Sequence, residues 1–306
     1  MALQAKVIKQ KIEGVGNIKK ITKTMEMVAA SKMRKAVESS MSSRRYADGA
    51  LEILVHLSQD KDLQHALMTP RPDARKVLFV IVSSNKGLCG GYNVNIARKI
   101  AESYRLHPDY EIECITVGKR AEHIARYNNL SIIASFTEFA DTANSKDVRA
   151  LTQVMLDAFL ETDTYAKVMV AYTQFIKTMV YQPKIAQLLP VQTESMHMVI
   201  DRVKRDKDEI LESQKDSIIQ SKPYTFEPSP DIIIDSVVPQ LLKAVMYQVL
   251  LDAYASEHSS RMMAMQSATE NAGKLQDELR LTYNKARQAA ITQEIAEIAA
   301  GADALT

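Results

Sequence analysis

Proline placement is the feature of this sequence that most constrains its fold. All nine prolines lie between residues 70 and 239, although proline is the residue that most reliably interrupts a helix, because it lacks an N–H donor and clashes with the preceding turn. Glycine is also rare at the two ends, with Gly49 alone between residues 17 and 69 and Gly273 alone between 240 and 300. The sequence therefore predicts a long helix at each end and a different structure between them.

The C-terminal segment shows the 4-3 spacing of apolar and small residues that is typical of a coiled coil. This seam runs from Leu251 to Ala290 and includes the polar residues His258 and Gln276, which we interpret as setting register rather than binding metal. The segment from 240 to 299 is predicted to be one nearly unbroken helix. Because one end helix leads into the central region and the other leads out of it, the two must run antiparallel if they pair.

The N-terminal segment has the same spacing from Ala29 to Leu57, built largely from Ala and Ser. Upstream of it the apolar stripe lies one residue out of phase, at Ile18, Ile21, Met25 and Val28. This drift predicts a loosely wound helix pair. Small seam residues bury little apolar area, so we expect further protein around the pair.

Between the end helices, short apolar runs alternate with helical stretches. Strands are predicted over 76–83, 111–117, 130–135 and 166–172, and helices over 93–106, 119–128 and 146–161. This succession favours a mainly parallel, Rossmann-like α/β sheet whose strands are buried on both faces. The segment 178–191, with two prolines, is predicted to be an edge hairpin or an extended arm.

Charge is distributed unevenly along a chain whose net charge is only +2. Residues 1–45 contain 11 Lys and Arg against 3 Asp and Glu, whereas residues 231–306 contain 6 against 10. No stretch reaches the roughly 18 uninterrupted apolar residues of a spanning helix, and the N-terminus lacks the apolar block of a secretory signal. We expect a soluble chain that stays in the cytosol unless a partner holds it elsewhere.

The two cysteines, Cys89 and Cys114, are too few for a disulfide framework or a four-ligand metal site, which favours a reducing compartment. Cys89 lies in a glycine-rich segment over 83–93, SSNKGLCGGYN, between the first predicted strand and helix. Such a turn is able to hold a phosphate, but it matches neither common nucleotide-binding motif, so we interpret it as a structural turn with a buried thiol. Nucleotide binding and a nucleophilic Cys89 remain the alternatives.

The basic N-terminal segment admits two interpretations. Its lysines could form a nucleic-acid stripe. Its apolar side is well developed, however, and no aromatic residue occurs before Tyr46. We therefore interpret it as a helix with one face on its partner helix and a basic face toward an acidic protein surface.

Three segments resemble one known family. They are ITKTMEMVAASKM at 21–33, GLCGG at 87–91 and YNKARQ at 283–288, continuing into AAITQEIAEIAAGA. Together they are similar to the gamma subunits of rotary (F-type) ATP synthases, in the order that family has them and over essentially the whole chain.

The resemblance implies a long antiparallel coiled coil of the N- and C-terminal helices with an inserted α/β domain. The domain bounds would be 1–69 for the N-terminal shaft helix, 70–230 for the α/β foot domain and 231–306 for the C-terminal shaft helix. It implies a central rotor shaft that couples ion flow through a membrane ring to conformational change and to ATP synthesis or hydrolysis in the catalytic beta subunits. The shaft itself would be non-catalytic, without cofactor, metal or small-molecule substrate.

The resemblance also implies partners and contact residues. The partners would be the alpha and beta subunits of the catalytic hexamer, the epsilon subunit and the membrane c-ring, but no nucleic acid, with the chain held peripherally at the cytoplasmic face of a bacterial membrane. Arg287 and Gln288 would bond a catch loop of beta. Acidic lever segments of beta would face Lys23, Met25, Lys32, Arg34 and Lys35. A hydrophobic bearing would enclose Ile291, Ile295 and Ile298, and Glu227 would lie in the foot that meets epsilon and the ring.

Overall fold

A computed structural model describes residues 2–57, 65–106, 108–137, 145–191 and 230–303. Its elements in chain order are α1 Ala2–Leu57, β1 Lys76–Val82, α2 Tyr92–Leu106, β2 Glu111–Val117, α3 Lys119–Tyr127, β3 Ser131–Phe136, α4 Ser145–Glu161, β4 Tyr165–Lys177, β5 Val180–Leu189 and α5 Pro230–Asp303. The predicted succession of a long helix, an α/β region and a second long helix is confirmed. Residues 201–223, which are rich in charged side chains, lie outside the described residues.

The last helix is longer than its predicted span of 240–299. It begins at Pro230 and continues through Pro239. Proline suits the first turn of a helix, where no N–H partner is needed. An internal proline normally interrupts a helix, but Pro239 lies next to Val238, which is fully buried in the core together with Leu241, so tertiary packing keeps this segment helical.

The strands form one five-stranded sheet in the order β3-β2-β1-β4-β5. β1 pairs in parallel with β2 and β4, β2 pairs in parallel with β3, and β5 joins β4 antiparallel. The predicted mainly parallel sheet and edge hairpin are confirmed. The prediction that every strand is buried on both faces is wrong for β3, because that strand lies at the sheet edge and its Ile133 is exposed.

Helices cover both faces of this sheet. Val77, Phe79 and Ile81 of β1 pack with residues of α2 and α3, whereas the alternate residues of β1 pack with α4 and α5. Alternation along a strand directs successive side chains to opposite faces. By length and composition α5 is long and apolar enough to cross a membrane, but its Leu241 and Leu250 are buried in the protein core.

The chain divides into two compact units, residues 1–30 with 261–306, and residues 31–260. In the first unit, the Thr269 hydroxyl donates to Thr22 Oγ1 over 2.8 Å. A Cβ atom on Gly273 would lie 3.2 Å from Lys19 Nζ, and one on Gly16 would lie 3.1 Å from Gln276 Nε2. Residue numbers thus rise along α1 as they fall along α5, which confirms that the helices pair antiparallel.

The predicted phase shift in the N-terminal seam is wrong. Ile18, Ile21 and Val28 are 55%, 59% and 49% exposed. An unbroken 4-3 spacing of buried or half-buried positions instead runs along α1, at residues 8, 12, 15, 19, 22, 26, 29, 33, 36 and 40, and of the predicted upstream stripe only Met25 is half-buried. Polar residues hold four of these positions. Thr22 is hydrogen-bonded across the seam, Ser40 is buried, and the aliphatic stems of Lys19 and Glu26 are able to pack in the seam.

A hydrogen-bonded cluster joins Lys76, Glu113 and Tyr165 on three strands of the sheet. Lys76 Nζ lies 2.8 Å from Glu113 Oε1, and the Tyr165 hydroxyl donates to Glu113 Oε2. The hydrogen bond from Lys76 and that from Tyr165 hold the pKa of Glu113 below its usual value. Burial, together with the bond to Glu113, raises the pKa of Tyr165, so the carboxylate is ionised and the phenol protonated at neutral pH.

Replacing Glu113 by Gln keeps the shape of the side chain and removes its charge. At pH 7 we expect Glu113→Gln to lower the free energy of unfolding by about 1–3 kcal/mol. Because the folded pKa is the lower one, the charge stabilises the fold above the unfolded pKa of about 4.3, and this contribution is lost as the pH falls through the folded value. Denaturant unfolding of wild type and variant, at pH 7 and at an acid pH below the folded pKa of Glu113, measures the difference in the free energy of unfolding.

The two proteins should therefore converge in acid, and a difference that is constant with pH would contradict this account. Glu102→Gln is a matched control, because Glu102 forms an exposed pair with Lys99 at 3.0 Å on α2. Such surface pairs contribute about 0–1 kcal/mol.

Gly118, between β2 and α3, is the glycine whose replacement should cost most among those described. Its φ is +92°, and a Cβ atom there would lie 2.4 Å from the Ser83 carbonyl oxygen. We expect Gly118→Ala to lower the free energy of unfolding by about 2–4 kcal/mol. Gly14→Ala should instead be neutral or stabilising by up to about 1 kcal/mol, because nothing lies within 4 Å and alanine favours a helix. Equal denaturation midpoints for the two variants would refute the prediction.

Candidate interaction surfaces

The end of α5 presents a polar pair followed by an apolar row. Arg287 and Gln288 are exposed, and Ile291, Ile295 and Ile298 are 47%, 62% and 73% exposed. Spacings of four and three residues place these isoleucines along one helical face. The structure therefore presents, on one stretch of surface, the residues expected for the catch contact and for the bearing.

On α1, the predicted contact residues Lys23 and Met25 differ in accessibility. Lys23 is exposed and forms an ion pair of 2.9 Å with Glu26 Oε1, whereas Met25 is half-buried. Glu26 occupies a seam position, and its Oε2 is buried without a hydrogen-bond partner. An exposed pair of this kind is worth about 0–1 kcal/mol, so Lys23 remains available to another anion.

The other three predicted contact residues of α1 belong to the larger unit. Arg34 and Lys35 are exposed, and Lys32 is half-buried. Glu227, expected in the foot, lies outside the described residues.

A basic groove lies between the two helices of the smaller unit. It has a volume of about 680 Å³, and its walls are formed by Gly16, Lys19, Lys20, Lys23, Thr24, Thr269 and Gln276. The sequence identified these lysines as basic but did not show that Lys19 lies at a seam position, where its ammonium group lies close to Gly273. In the sequence, Gly16 and Gly273 are the residues that could have indicated this groove, because a glycine leaves room for a long polar side chain of the opposite helix.

The glycine-rich turn is filled by its own side chains. The Asn93 carboxamide oxygen accepts a hydrogen bond from the Ser83 hydroxyl at 2.6 Å. The Ser84 hydroxyl donates to the Lys86 carbonyl at 2.8 Å, and its oxygen lies 3.0 Å from the same Asn93 oxygen. A phosphate here would have to compete with these contacts. The geometry favours a structural turn over a nucleotide site.

Both thiols are buried. Cys89 is 1% exposed, as predicted, and its sulfur accepts a hydrogen bond from Asn93 Nδ2 at 3.2 Å. Burial raises the pKa of Cys114 to about 12, so that thiol is protonated at neutral pH and is a weak nucleophile. No group of His, Cys, Asp and Glu able to hold a metal occurs in the part of the chain that the structure describes.

Cys89 should react slowly in the native protein. In a Cys114→Ala background, we expect a bulky maleimide to label Cys89 at least tenfold more slowly than a cysteine placed at exposed Ser42, and equally fast after denaturation, because a buried thiol reacts only when the structure opens. Mass spectrometry of the time course measures both rates. Equal native rates would show that the turn is open.

The architecture is that of a coiled-coil shaft carrying an inserted α/β domain. Comparison with known proteins gives the family: the model of a family described as ATP synthase matches residues 4–305. The ATP synthase gamma chain of Nitrosococcus oceani is 40% identical over 303 residues, which are 98% of this chain and 99% of that one. That of Stenotrophomonas maltophilia strain R551-3 is 36% identical over 301 residues, 97% of this chain and 98% of the other. The chain belongs to the ATP synthase gamma chain family.

Solved structures show the same fold. A chain in the rotor of Euglena gracilis mitochondrial ATP synthase superposes with a TM-score of 0.64 at 18% identity, covering 95% of this chain and 100% of that one. A chain in the central stalk and c-ring structure of Tetrahymena thermophila mitochondrial ATP synthase gives 0.56 at 22% identity, covering 81% and 99%. The predicted fold class and family are confirmed, and with them the role of a rotor-shaft subunit in a membrane-associated ATP synthase.

Proposed function

We propose that this shaft turns inside a hexamer of alternating alpha and beta subunits and performs no bond chemistry itself. By its rotation it couples ion flow through the membrane c-ring to conformational change in beta, where ATP is made or hydrolysed. The observation that carries the proposal is the antiparallel helix pair, which presents basic, polar and apolar surfaces in the smaller unit. Internal hydrogen bonding of the glycine-rich turn supports a non-catalytic role.

The basic surface supports a contact with acidic segments of beta. Lys19, Lys20 and Lys23 line one groove, and residues 1–45 carry 11 Lys and Arg against 3 Asp and Glu. The partner helix segment 231–306 has 6 against 10, which is too small an acidic excess to balance this charge. An external acidic surface would balance the remaining positive charge, and contacts with Lys32, Arg34 and Lys35 would extend this interface along α1. Exposed charge pairs are weak and are screened by salt, so this surface suits a contact that must form and break during each turn.

The end of α5 supports two further contacts. Arg287 offers a planar guanidinium and Gln288 an amide, which suit a loop that presents carboxylate or carbonyl oxygens. The exposed row of Ile291, Ile295 and Ile298 suits an apolar sleeve. Apolar contact is non-directional, so such a sleeve would hold the tip in place and still allow rotation.

In the foot, Glu227 and the residues around it would meet the epsilon subunit and the c-ring, with the chain peripheral at the cytoplasmic face of a bacterial membrane. Similarity to bacterial gamma chains supports this placement. Affinity purification of the tagged chain from membranes tests it, with alpha, beta, epsilon and c subunits as the expected companions; recovery of the chain alone would refute it.

Arg287→Ala tests the catch contact. We expect the complex to assemble but to hydrolyse ATP roughly tenfold more slowly, which corresponds to about 1.4 kcal/mol, because a charge-assisted donor is lost. Arg280→Ala is the matched control, because Arg280 is an exposed arginine on the same helix, 3.4 Å from Asp277. Hydrolysis by purified complexes of equal subunit composition measures the effect. Wild-type turnover in the Arg287 variant would place the catch elsewhere.

A further inference from the structure

Three serines of α5 are buried against the α/β domain. Ser256 and Ser259 are fully buried and Ser260 is 2% exposed. Ser256 and Ser260 are four residues apart and therefore lie on one helical face. The Ser256 hydroxyl donates to the Thr173 carbonyl of β4 at 3.1 Å. We name Ser256, Ser259 and Ser260 the serine clamp.

Ser260 holds the glycine-rich turn. Its hydroxyl donates to the Cys89 carbonyl at 2.6 Å, and the same oxygen lies 2.9 Å from the Tyr181 hydroxyl of β5. One side chain of α5 thus joins the turn after β1 to the edge strand. A second bond nearby runs from the Tyr92 hydroxyl to the Ala253 carbonyl, at 3.3 Å.

Ser259 holds the tip of the β4–β5 hairpin. The Met179 backbone N–H donates to Ser259 Oγ at 3.0 Å. Met179 has a φ of +69°, and Leu88 in the glycine-rich turn has a φ of +60°. Non-glycine residues adopt such angles at a cost, and persist there only where the surroundings fix them. Both turns bonded by the clamp therefore contain strained residues.

Contacts upstream on α5 are of a different kind. Val238, Leu241 and Val245 pack in the apolar core with the sheet and α4. Apolar contact does not depend on direction, whereas hydrogen bonds weaken steeply when they are misaligned. This packing continues beside the clamp, at Ala253, Tyr254 and Ala255. Packing along 238–255 therefore resists separation of α5 from the domain, and the directional hydrogen bonds of the clamp add resistance to rotation of α5 about its own axis.

We propose that the serine clamp is the joint that transmits turning force between α5 and the α/β domain. The proposal rests on the function proposed above, since only a rotating shaft loads this joint. The clamp residues are positioning residues: they keep α5 and the domain turning together and touch no reacting group. Without the hydroxyls the helix would slip against the domain under load.

The test compares Ser259→Ala/Ser260→Ala with wild type in complexes reconstituted into vesicles. We expect ATP hydrolysis to stay within twofold of wild type, while the steady-state ion gradient driven by ATP falls at least twofold. Ser236→Ala is the control, because Ser236 is an exposed serine in the same unit and on the same helix; it should change neither quantity. An unchanged ratio of gradient to hydrolysis, or a parallel fall of both, would overturn the proposal.

A second measurement needs no complex. In the purified full chain, Ser259→Ala should speed hydrogen exchange of the Met179 amide at least tenfold and leave the amides of β1 unchanged, since that amide loses its acceptor. Unchanged exchange of the Met179 amide would by itself refute the serine clamp. Failure of the wild-type chain to purify with alpha and beta subunits would instead refute the proposed function, so the two failures are distinguishable.

Discussion

Burial of α5 is the constraint on which the rest of the structure depends. Every residue from 251 to 260 is buried, polar and apolar alike. Upstream, α5 fills one face of the sheet together with α4, and downstream it pairs with α1 in the smaller unit. One continuous helix thus contributes residues to both compact units.

Polar residues make the contacts that fix how two elements are aligned with each other. In the coiled coil, the Thr22–Thr269 hydrogen bond and the small residues Gly16 and Gly273 give α1 and α5 features that fit best in one alignment. Polar seam residues are a known means of fixing register at some cost in stability. In the larger unit, the hydroxyls of Ser256 and Ser260 are directed at backbone carbonyls. Apolar packing supplies most of the stability, and these few hydrogen bonds fix the orientation of the elements that they join.

Chemistry-bearing groups in the α/β domain are used for structure. The Asn93 carboxamide satisfies the serines of the glycine-rich turn, and Cys89 and Cys114 are buried thiols. Lys76, Glu113 and Tyr165 satisfy one another. Among the residues that the structure describes, the basic groove of the helix pair and the exposed end of α5 offer surfaces that suit contact with partners.

The sequence alone determined the outline of the fold, because proline and glycine placement and apolar periodicity are local properties. The two end helices, the order of strands and helices, the antiparallel pairing and the burial of Cys89 all followed from it, and three motifs gave the family. Tertiary structure decided what depends on neighbours distant in the chain. Pro239 stays inside a helix because the core holds the residues beside it, β3 is half-exposed because it lies at the sheet edge, and Lys19, Thr22 and Glu26 occupy the seam while Ile18, Ile21 and Val28 face outward. Hydrophobicity reflects the free-energy cost of exposing a side chain to water, but whether a polar side chain is buried depends on the hydrogen-bond or charge partner that the fold brings to it.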